Sequence, residues 1–167
     1  VVIPETVTNE GITYSVTSIG DSAFWWNDLS SIEIPNSVTY IGIEAFRFNS
    51  SLTTVTIPEN VTSIGESAFT NCGNLTTINF NAINCDLIVE QYLVFPSTIT
   101  TVNIGENVQK IPDYFIQNTS VTSIEIPNSV TTIGNDAFSN CSSLTSLTIG
   151  NSVTSIGIGA FYGCSSL

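Results

Sequence analysis

The sequence contains no histidine and no methionine, and its only cationic side chains are Arg47 and Lys110. Without histidine, Ser-His-Asp and Cys-His catalytic sets and the usual zinc ligand sets are excluded. The sequence also has no glycine-rich phosphate loop followed by lysine. These absences predict a protein that is not an enzyme and holds no metal or cofactor.

Charge of one sign dominates the composition. Fourteen acidic residues against two cationic ones give a net charge of −12. Such a chain repels nucleic acids and anionic membrane surfaces, so neither is expected as a partner. Because the acids are scattered along the sequence, they indicate a solubilising surface. A dedicated site for a cation or a basic partner is the alternative.

No part of the sequence provides a membrane or export segment. No apolar run reaches the roughly 18 residues that a membrane span requires, so we expect no membrane insertion in this segment. An initiator methionine and a signal-peptide pattern are missing, and Leu167 stands where a new strand is expected. We therefore expect a piece of a longer protein, whose targeting or anchoring segment lies elsewhere.

What is present is a repeat. The leading valines Val16, Val38 and Val61 are 22 and 23 residues apart, and each opens a Val-Thr-x-Ile-Gly-x-x-Ala-Phe motif. Copies of this motif occupy residues 16–24, 38–46, 61–69, 130–138 and 153–161. A period of about 20–25 residues is typical of solenoids, whose turns must stack to bury their apolar faces. The sequence predicts one solenoid domain over residues 1–167, with about seven turns of 22–24 residues.

Two segments depart from this period. Residues 1–15 contain Asn9-Glu10-Gly11, which predicts a hairpin that caps the N-terminal end of the array. Residues 16–167 are then the repeats, the last of them incomplete. Within them, residues 81–107 form a variant repeat, because residues 87–95 replace the usual Ile-Gly-Ala-Phe element. We interpret it as a turn with extra apolar filling; a functional bulge on the rim is the alternative.

Each turn carries two apolar stripes. The pattern Leu52-x-x-Val55-x-Ile57 predicts a short strand, which Pro58 ends because proline cannot donate to a ladder. The Val-x-x-Ile-Gly piece predicts a second short strand, with a glycine that permits a sharp corner. The Ala-Phe piece that follows predicts one helical or 3₁₀ turn. Stacked turns should place equivalent strands in parallel, about 4.8 Å apart, as one continuous sheet.

The outward positions of the first strand form a small, polar and mostly hydroxyl-bearing wall, which we predict to bind a ligand. Its members are Ser31, Glu33, Thr54, Thr56, Thr77, Asn79, Thr101, Asn103, Ser123, Glu125, Ser146 and Thr148. Glu33 and Glu125 lie four turns apart, about 19 Å at the strand spacing. That separation is too large for the paired carboxylates of a glycosidase.

Trp25 and Trp26 interrupt the repeat most sharply, because another turn carries Thr70-Asn71 at the same place. Two adjacent indoles cannot both point inward on a tight turn. We interpret them as packing against the N-terminal hairpin. The alternative is a contact site for a partner or a sugar, extended by Arg47-Phe48 one turn later. Tryptophan and arginine are among the residues that most often dominate interface energies.

The four cysteines indicate packing rather than chemistry. Cys72, Cys141 and Cys164 share one repeat position, three residues after a phenylalanine, and we predict buried free thiols there. A disulfide between Cys141 and Cys164 in adjacent turns is sterically conceivable. A bridge between Cys72 and Cys85 is the other alternative.

The consensus Ile-Pro-x-x-Val-Thr-x-Ile-Gly-x-x-Ala-Phe-x-x-Cys-x-x-Leu-x-x-Val/Ile-x-Ile resembles the BspA-like, Treponema pallidum-type leucine-rich repeats. Residues 57–75 and 126–144 match it almost position for position, and the resemblance covers essentially the whole chain. It implies a right-handed superhelix of mainly short parallel β-strands, without family-wide catalytic residues. The chain departs from the pattern at Asn27, where cysteine is expected, and at residues 47–49.

The resemblance also implies a function. Such proteins are typically secreted or held on the cell surface, and are associated with adhesion to host matrix proteins such as fibronectin and fibrinogen. We therefore expect a non-catalytic binding module for an extracellular protein or glycan. The alternative is a structural spacer or stalk that carries another domain.

Overall fold

In the computed structural model, which describes residues 1–88 and 94–167, the chain is a solenoid of about six turns of parallel strands. The predicted solenoid is confirmed, with slightly fewer turns than the seven expected. The strands are β1 (Thr6–Asn9), β2 (Ile12–Ser15), β3 (Ser18–Ile19), β4 (Tyr40–Ile41), β5 (Thr54–Ile57), β6 (Ser63–Ile64), β7 (Thr77–Phe80), β8 (Asp86–Leu87), β9 (Thr101–Ile104), β10 (Lys110–Ile111), β11 (Ser123–Ile126), β12 (Thr132–Ile133), β13 (Ser146–Ile149) and β14 (Ser155–Ile156).

The solenoid has three sides. The four-residue strands β5, β7, β9, β11 and β13 form what we call the broad wall, and the two-residue strands β3, β4, β6, β8, β10, β12 and β14 form the narrow wall. The segments after each narrow-wall strand, such as residues 43–48, form the turn side. Along β5, Val55 and Ile57 are buried while Thr54 and Thr56 are exposed, as the alternation predicts.

The broad wall is not the continuous sheet that the sequence suggests. In the described part of the chain it consists of a sheet β5-β7-β9 and a separate sheet β11-β13, with no ladder between β9 and β11. Ser31 and Glu33 lie outside both sheets; Glu33 makes only an isolated parallel bridge to Val2. Within these described residues the narrow wall is divided likewise, into β3-β4-β6-β8 and β10-β12-β14.

Both interruptions adjoin the variant repeat. Along the broad wall the strand starts Thr77, Thr101 and Ser123 are 24 and then 22 residues apart. Turn length alone does not explain the interruptions, because β7 pairs with β9 at a separation of 24 residues and β10 pairs with β12 at 22. The predicted Leu87–Phe95 replacement falls largely on residues 89–93, outside the described residues. The Lys110 ammonium and the Asp86 carboxylate form an ion pair across the narrow-wall interruption.

The turn side contains hydrogen-bonded turns instead of the predicted helical or 3₁₀ turn, and no described residue there is helical. Left-handed backbone angles explain the difference: φ is +54° at Glu44 and +63° at Phe48, and a right-handed helix cannot include such residues. Amide groups on this side donate to the next turn, as the Phe46 amide does to the Ala68 carbonyl at 2.8 Å. The main-chain hydrogen bonds that join neighbouring turns on this side have their donors pointing toward the C-terminal end of the array.

The core, which is mostly aliphatic, contains a column of aromatic rings inside the turn side. Phe46 and Phe69 are fully buried, and their ring centroids lie 5.1 Å apart in a stacked arrangement. Phe138 and Phe161 are stacked in the same way, at 5.2 Å. At the level of the interruptions the order changes, because Phe95 meets Phe115 edge-on at 6.2 Å.

The repeat glycines were predicted to permit a sharp corner of the backbone, but the structure shows a different role for them. Only a glycine fits at Gly65, because an added Cβ would lie 2.5 Å from the Ile43 amide nitrogen of the turn below. Its φ is not positive, so room for stacking is the requirement. At Gly20, in the first turn, no described atom lies within 4 Å of such a Cβ.

The N-terminal hairpin forms as predicted, with β1 and β2 pairing antiparallel. All eight strand residues are exposed, including Val7, Ile12 and Tyr14. Residues 1–4 lie beside the first turn, where the Ile3 amide donates to the Glu33 carbonyl at 3.0 Å. A capping role for the hairpin stays a prediction.

Candidate functional site

The broad wall holds most of the predicted site residues in register. Thr54, Thr77 and Thr101 form one outward column, because the ladders pair each with the next. Thr56, Asn79 and Asn103 form the second column. In this second column the Asn103 amide donates to Asn79 Oδ1 at 2.8 Å, and the Asn79 amide donates to Thr56 Oγ1 at 3.1 Å. The side-chain amides of the second column are therefore hydrogen-bonded within the wall, without a ligand.

Beyond the interruption the remaining wall residues form a second patch. Ser123 aligns with Ser146, and Glu125 aligns with Thr148. Between the two patches runs a shallow polar groove lined by Thr101, Asn103, Ser123 and Glu125, among others. The predicted wall residues thus form two separate polar patches. Ser31 and Glu33 belong to neither patch and lie beside the N-terminal segment.

Trp25, Trp26 and Phe48 form an exposed aromatic cluster on the turn side. The ring centroids of Trp26 and Phe48 lie 5.1 Å apart, those of Trp25 and Phe48 6.0 Å, and those of the two indoles 5.6 Å. Trp25 is 45% and Trp26 is 64% exposed. The indoles pack on the phenylalanine of the next turn, and both remain open to solvent. Arg47 and Phe48 therefore extend the patch, as the alternative interpretation proposed.

A charged pair borders the aromatic cluster. The Arg47 guanidinium lies 4.9 Å from the Phe48 ring centroid and forms an ion pair with the Glu44 carboxylate. On the other border Ser50 donates to Asp28 Oδ1 at 3.2 Å. Hydrogen bonds from Ser51 and Ser50 hold the pKa of the exposed Asp28 carboxyl below its usual value. The cluster therefore lies among ionised groups.

Two residues of the cluster have a backbone conformation that bulky side chains avoid. Trp26 has a φ of +55° and Phe48 a φ of +63°. Other turns place residues suited to the left-handed region here, namely Asn71, Asn118, Asn140 and Gly163. L-residues with large side chains pay roughly 1–2 kcal/mol in this region. Sequence reasoning missed this strain, although the asparagines and glycine that align with Trp26 signal it.

The cysteine position holds neighbouring turns together. The Cys72 thiol donates to the Phe46 carbonyl at 3.2 Å, and the Cys141 thiol to the Ile116 carbonyl at 3.2 Å. Burial raises the pKa of Cys72 to about 11 and that of Cys85 to about 12, so both thiols are protonated and unreactive at neutral pH. All four cysteines lie in the described residues and are free thiols.

Asn49 replaces cysteine in the second turn and takes over its contacts. It is fully buried, and its side-chain amide donates to the Phe24 and Phe46 carbonyls at 2.8 and 2.7 Å. Its Oδ1 accepts a hydrogen bond from the Leu29 amide at 2.8 Å. The departure at residues 47–49 therefore preserves the stacking of turns.

Residues 1–88 and 94–167 contain no group of three or more histidine, cysteine, aspartate or glutamate side chains placed to hold a metal ion. In the same residues, no helix is long and apolar enough to cross a membrane.

Comparison with known proteins agrees with the repeat architecture. A sequence model of the BspA type leucine-rich repeat region matches residues 17–144 and 109–167, in six copies. The crystal structure of a T. pallidum leucine-rich repeat protein is 26% identical, with a TM-score of 0.73 over 100% of this chain and 77% of that chain. A protein from Eubacterium ventriosum is 25% identical, with a TM-score of 0.70 over 95% of this chain and 50% of that chain.

A third similar structure, from Bacteroides capillosus, is 33% identical, with a TM-score of 0.57 over 62% of this chain and 75% of that chain. It too is a leucine-rich repeat protein. No curated protein sequence is significantly similar to the chain.

Proposed function

The chain belongs to the BspA type leucine-rich repeat family, and on that premise we propose that it is a non-catalytic module that binds an extracellular protein or glycan. Its place would be the cell surface or the secreted fraction. Host matrix proteins such as fibronectin and fibrinogen are the first candidates, because the family resemblance implies them.

The observation that carries this proposal is the exposed aromatic cluster. Monomeric proteins bury most of their large aromatic side chains, yet Trp25 and Trp26 are 45% and 64% exposed and adjacent. Tryptophan supplies much of the energy of protein interfaces when a partner covers it. The broad wall, on another side of the solenoid, would add hydrogen bonds to a large partner, since its outward threonines and asparagines are polar and uncharged.

The wall supports binding in a second way, through rigidity. The ladders hold Thr54, Thr77 and Thr101 in line, and the amide bonds hold Asn79 and Asn103. Side chains fixed in this way lose little conformational entropy when a partner binds.

The test is direct binding of the purified chain to immobilised fibronectin, fibrinogen and a glycan panel. A Trp25→Ser/Trp26→Asn variant probes the cluster, and a Ser123→Ala/Glu125→Ala/Thr148→Ala variant probes the wall. Tyr162 occupies the same repeat position as Trp25 and is 72% exposed, so Tyr162→Ser is the matched control. We expect saturable binding that the cluster variant loses and the control retains.

Two outcomes would contradict the proposal. If the folded chain binds nothing on the panel, the structural spacer is the better interpretation, because a spacer needs no ligand. If binding occurs and survives in both the cluster and wall variants, another surface carries it.

A further inference from the structure

We propose that the aromatic cluster binds a basic segment of a partner protein, with an arginine or lysine side chain lying on the indole faces of Trp25 and Trp26. This inference rests on the proposed binding function and names the class of partner at that site. The arguments are the strain of the cluster, its charge and a cation already held on one of its rings.

Strain is the first argument. Trp26 and Phe48 have left-handed backbone angles, at a position where Asn71 and Asn140 occupy other turns. The tryptophan gains little burial in return, since it is 64% exposed. The fold imposes the left-handed angle at this position in other turns too, so the unusual feature is a bulky aromatic residue placed there, and residues held in such strained conformations are common at functional sites. The indole is therefore explained by what it offers to a partner rather than by packing.

Charge is the second argument, and it selects a cation. Two carboxylates border the cluster on the turn side, Asp28 beside Ser50 and Glu44 beside Arg47, and Asp21 adds a third negative charge to the same two turns. Arg47 is the one cationic residue of these two turns, and Glu44 already neutralises it. Asp28 is bonded to Ser50, and Asp21 accepts the Ile43 amide at 2.8 Å, so both carboxylates are held in place. A net charge of −12 attracts basic partners and repels acidic ones.

Geometry is the third argument. The Arg47 guanidinium lies 4.9 Å from the centroid of the Phe48 ring, within the roughly 6 Å of a cation–π contact. The cluster thus already holds one guanidinium against a ring face. Indoles bind cations more strongly than phenyl rings, and the two indoles are the exposed rings. A neutral glycan could stack on the same rings and donate hydrogen bonds to the carboxylates, but it would gain no net charge attraction from them.

The chain provides its own reporter for the test. Trp25 and Trp26 are its only tryptophans, so tryptophan fluorescence, excited at wavelengths that tyrosine does not absorb, reports on this cluster alone. We would titrate the chain with an acetylated Gly-Arg-Gly-Arg-Gly amide, with the same peptide carrying neutral citrulline, and with cellohexaose. We expect a saturable change with the arginine peptide, weakened by salt, and an affinity about tenfold lower for citrulline.

Variants separate the cluster from the general charge of the molecule. Trp26→Asn introduces a residue that suits the left-handed position, so we expect the variant to fold. We expect it to lose arginine binding, and the fluorescence of the remaining Trp25 would still report any binding that persisted. Tyr162→Ser should respond like the parent chain. Asp28→Asn should weaken arginine binding while leaving the rings in place. Circular dichroism confirms that each variant is folded.

Equal affinity for the arginine and citrulline peptides, or a response to cellohexaose alone, would overturn the inference. So would arginine binding that survives in Trp26→Asn, because the net charge alone would then explain it. These failures are distinct from failure of the proposed function. If the chain binds a matrix protein or glycan through the cluster but ignores the arginine peptide, the function stands and the basic partner is wrong.

Discussion

At the scale of single residues, Gly65 shows what holds the array together. A Cβ there would lie 2.5 Å from the Ile43 amide nitrogen and 2.7 Å from the Gly42 carbonyl carbon, so Gly65→Ala must push two turns apart. We expect it to lower the free energy of unfolding by about 1–3 kcal/mol. Gly20→Ala, at the same repeat position, should change it by less than about 0.5 kcal/mol. Urea unfolding measures both, and equal midpoints would contradict the packing argument.

Asn49 allows a second prediction. Asn49→Ala leaves the Phe24 and Phe46 carbonyls and the Leu29 amide without their side-chain partner. Since an unsatisfied buried polar group costs about 1–3 kcal/mol, we expect a loss in that range or above it. Asn49→Cys should lose less, because cysteine bonds the equivalent carbonyl in other turns. Thermal or urea unfolding would show this order, and the reverse order would contradict it.

The buried thiols give a pH dependence. Burial raises the pKa of Cys72 to about 11 and that of Cys85 to about 12, against 9.0 for an ordinary thiol. Below pH 9 both states hold the proton, and the stabilisation is complete. Between pH 9 and 12 the unfolded chain ionises first, so stability falls as the pH rises. Melting curves from pH 8 to 10.5 should show this decline, and Cys85→Ala should reduce it; an unchanged slope would count against it.

At the scale of elements, the interruption of the broad wall should be visible in solution. Strand β7 has ladder partners on both sides, β5 and β9. Strand β11 pairs only with β13 among the described strands. Because unpaired amides open more readily, we expect amide hydrogens of β11 to exchange faster than those of β7. Hydrogen exchange followed by NMR measures this, and equal protection would mean that β9 and β11 pair in solution.

The strands and their register could be predicted because each depends on local alternation. Val55 and Ile57 are apolar and Thr54 and Thr56 are polar, so burial of one face leaves a single register. The interruption could not be predicted, because it depends on how the turns around the variant repeat stack in three dimensions. The turn side was misread as helical, because Ala45-Phe46 alone does not reveal the left-handed Glu44 and Phe48.

The candidate site was predictable to the same limited extent. Trp25 and Trp26 break a repeat, and so the sequence pointed to them. The repeat spacing also placed Phe48 one turn later, as a possible extension of the patch. The exposed fractions of the two indoles depend on how two turns stack, which sequence spacing alone does not describe. The hydrogen bonds along Asn79 and Asn103 likewise require the ladder to be in place.

At the scale of the whole molecule, repulsion among the acidic side chains is the interaction that other groups offset least. Fourteen acids face two cations, and the two ion pairs seen in the described residues are partly exposed, so they offset little of the repulsion. Salt shortens the reach of this repulsion from about 30 Å at 0.01 M to about 8 Å at 0.15 M. We therefore expect the melting temperature to rise with salt, by about 2–4 °C for each ~1 kcal/mol gained.

Calorimetry at these two salt concentrations measures that rise. Sodium chloride and sodium bromide should act alike, because screening depends on ionic strength. A melting temperature that falls with added salt would show that the two ion pairs matter more than the net charge.

The main-chain hydrogen bonds that join turns on the turn side have their donors pointing toward the C-terminal end, and main-chain pairs supply many of the hydrogen bonds between turns. Outward side chains that make no hydrogen bond to a neighbouring turn are consequently free to change without loosening the stack. Recombination between repeats in the gene can add or delete whole turns, with the direction and spacing of the surface preserved. Evolution can thus vary length and surface chemistry separately, and a rare pair such as Trp25-Trp26 can arise in one turn while its neighbours keep the ancestral pattern.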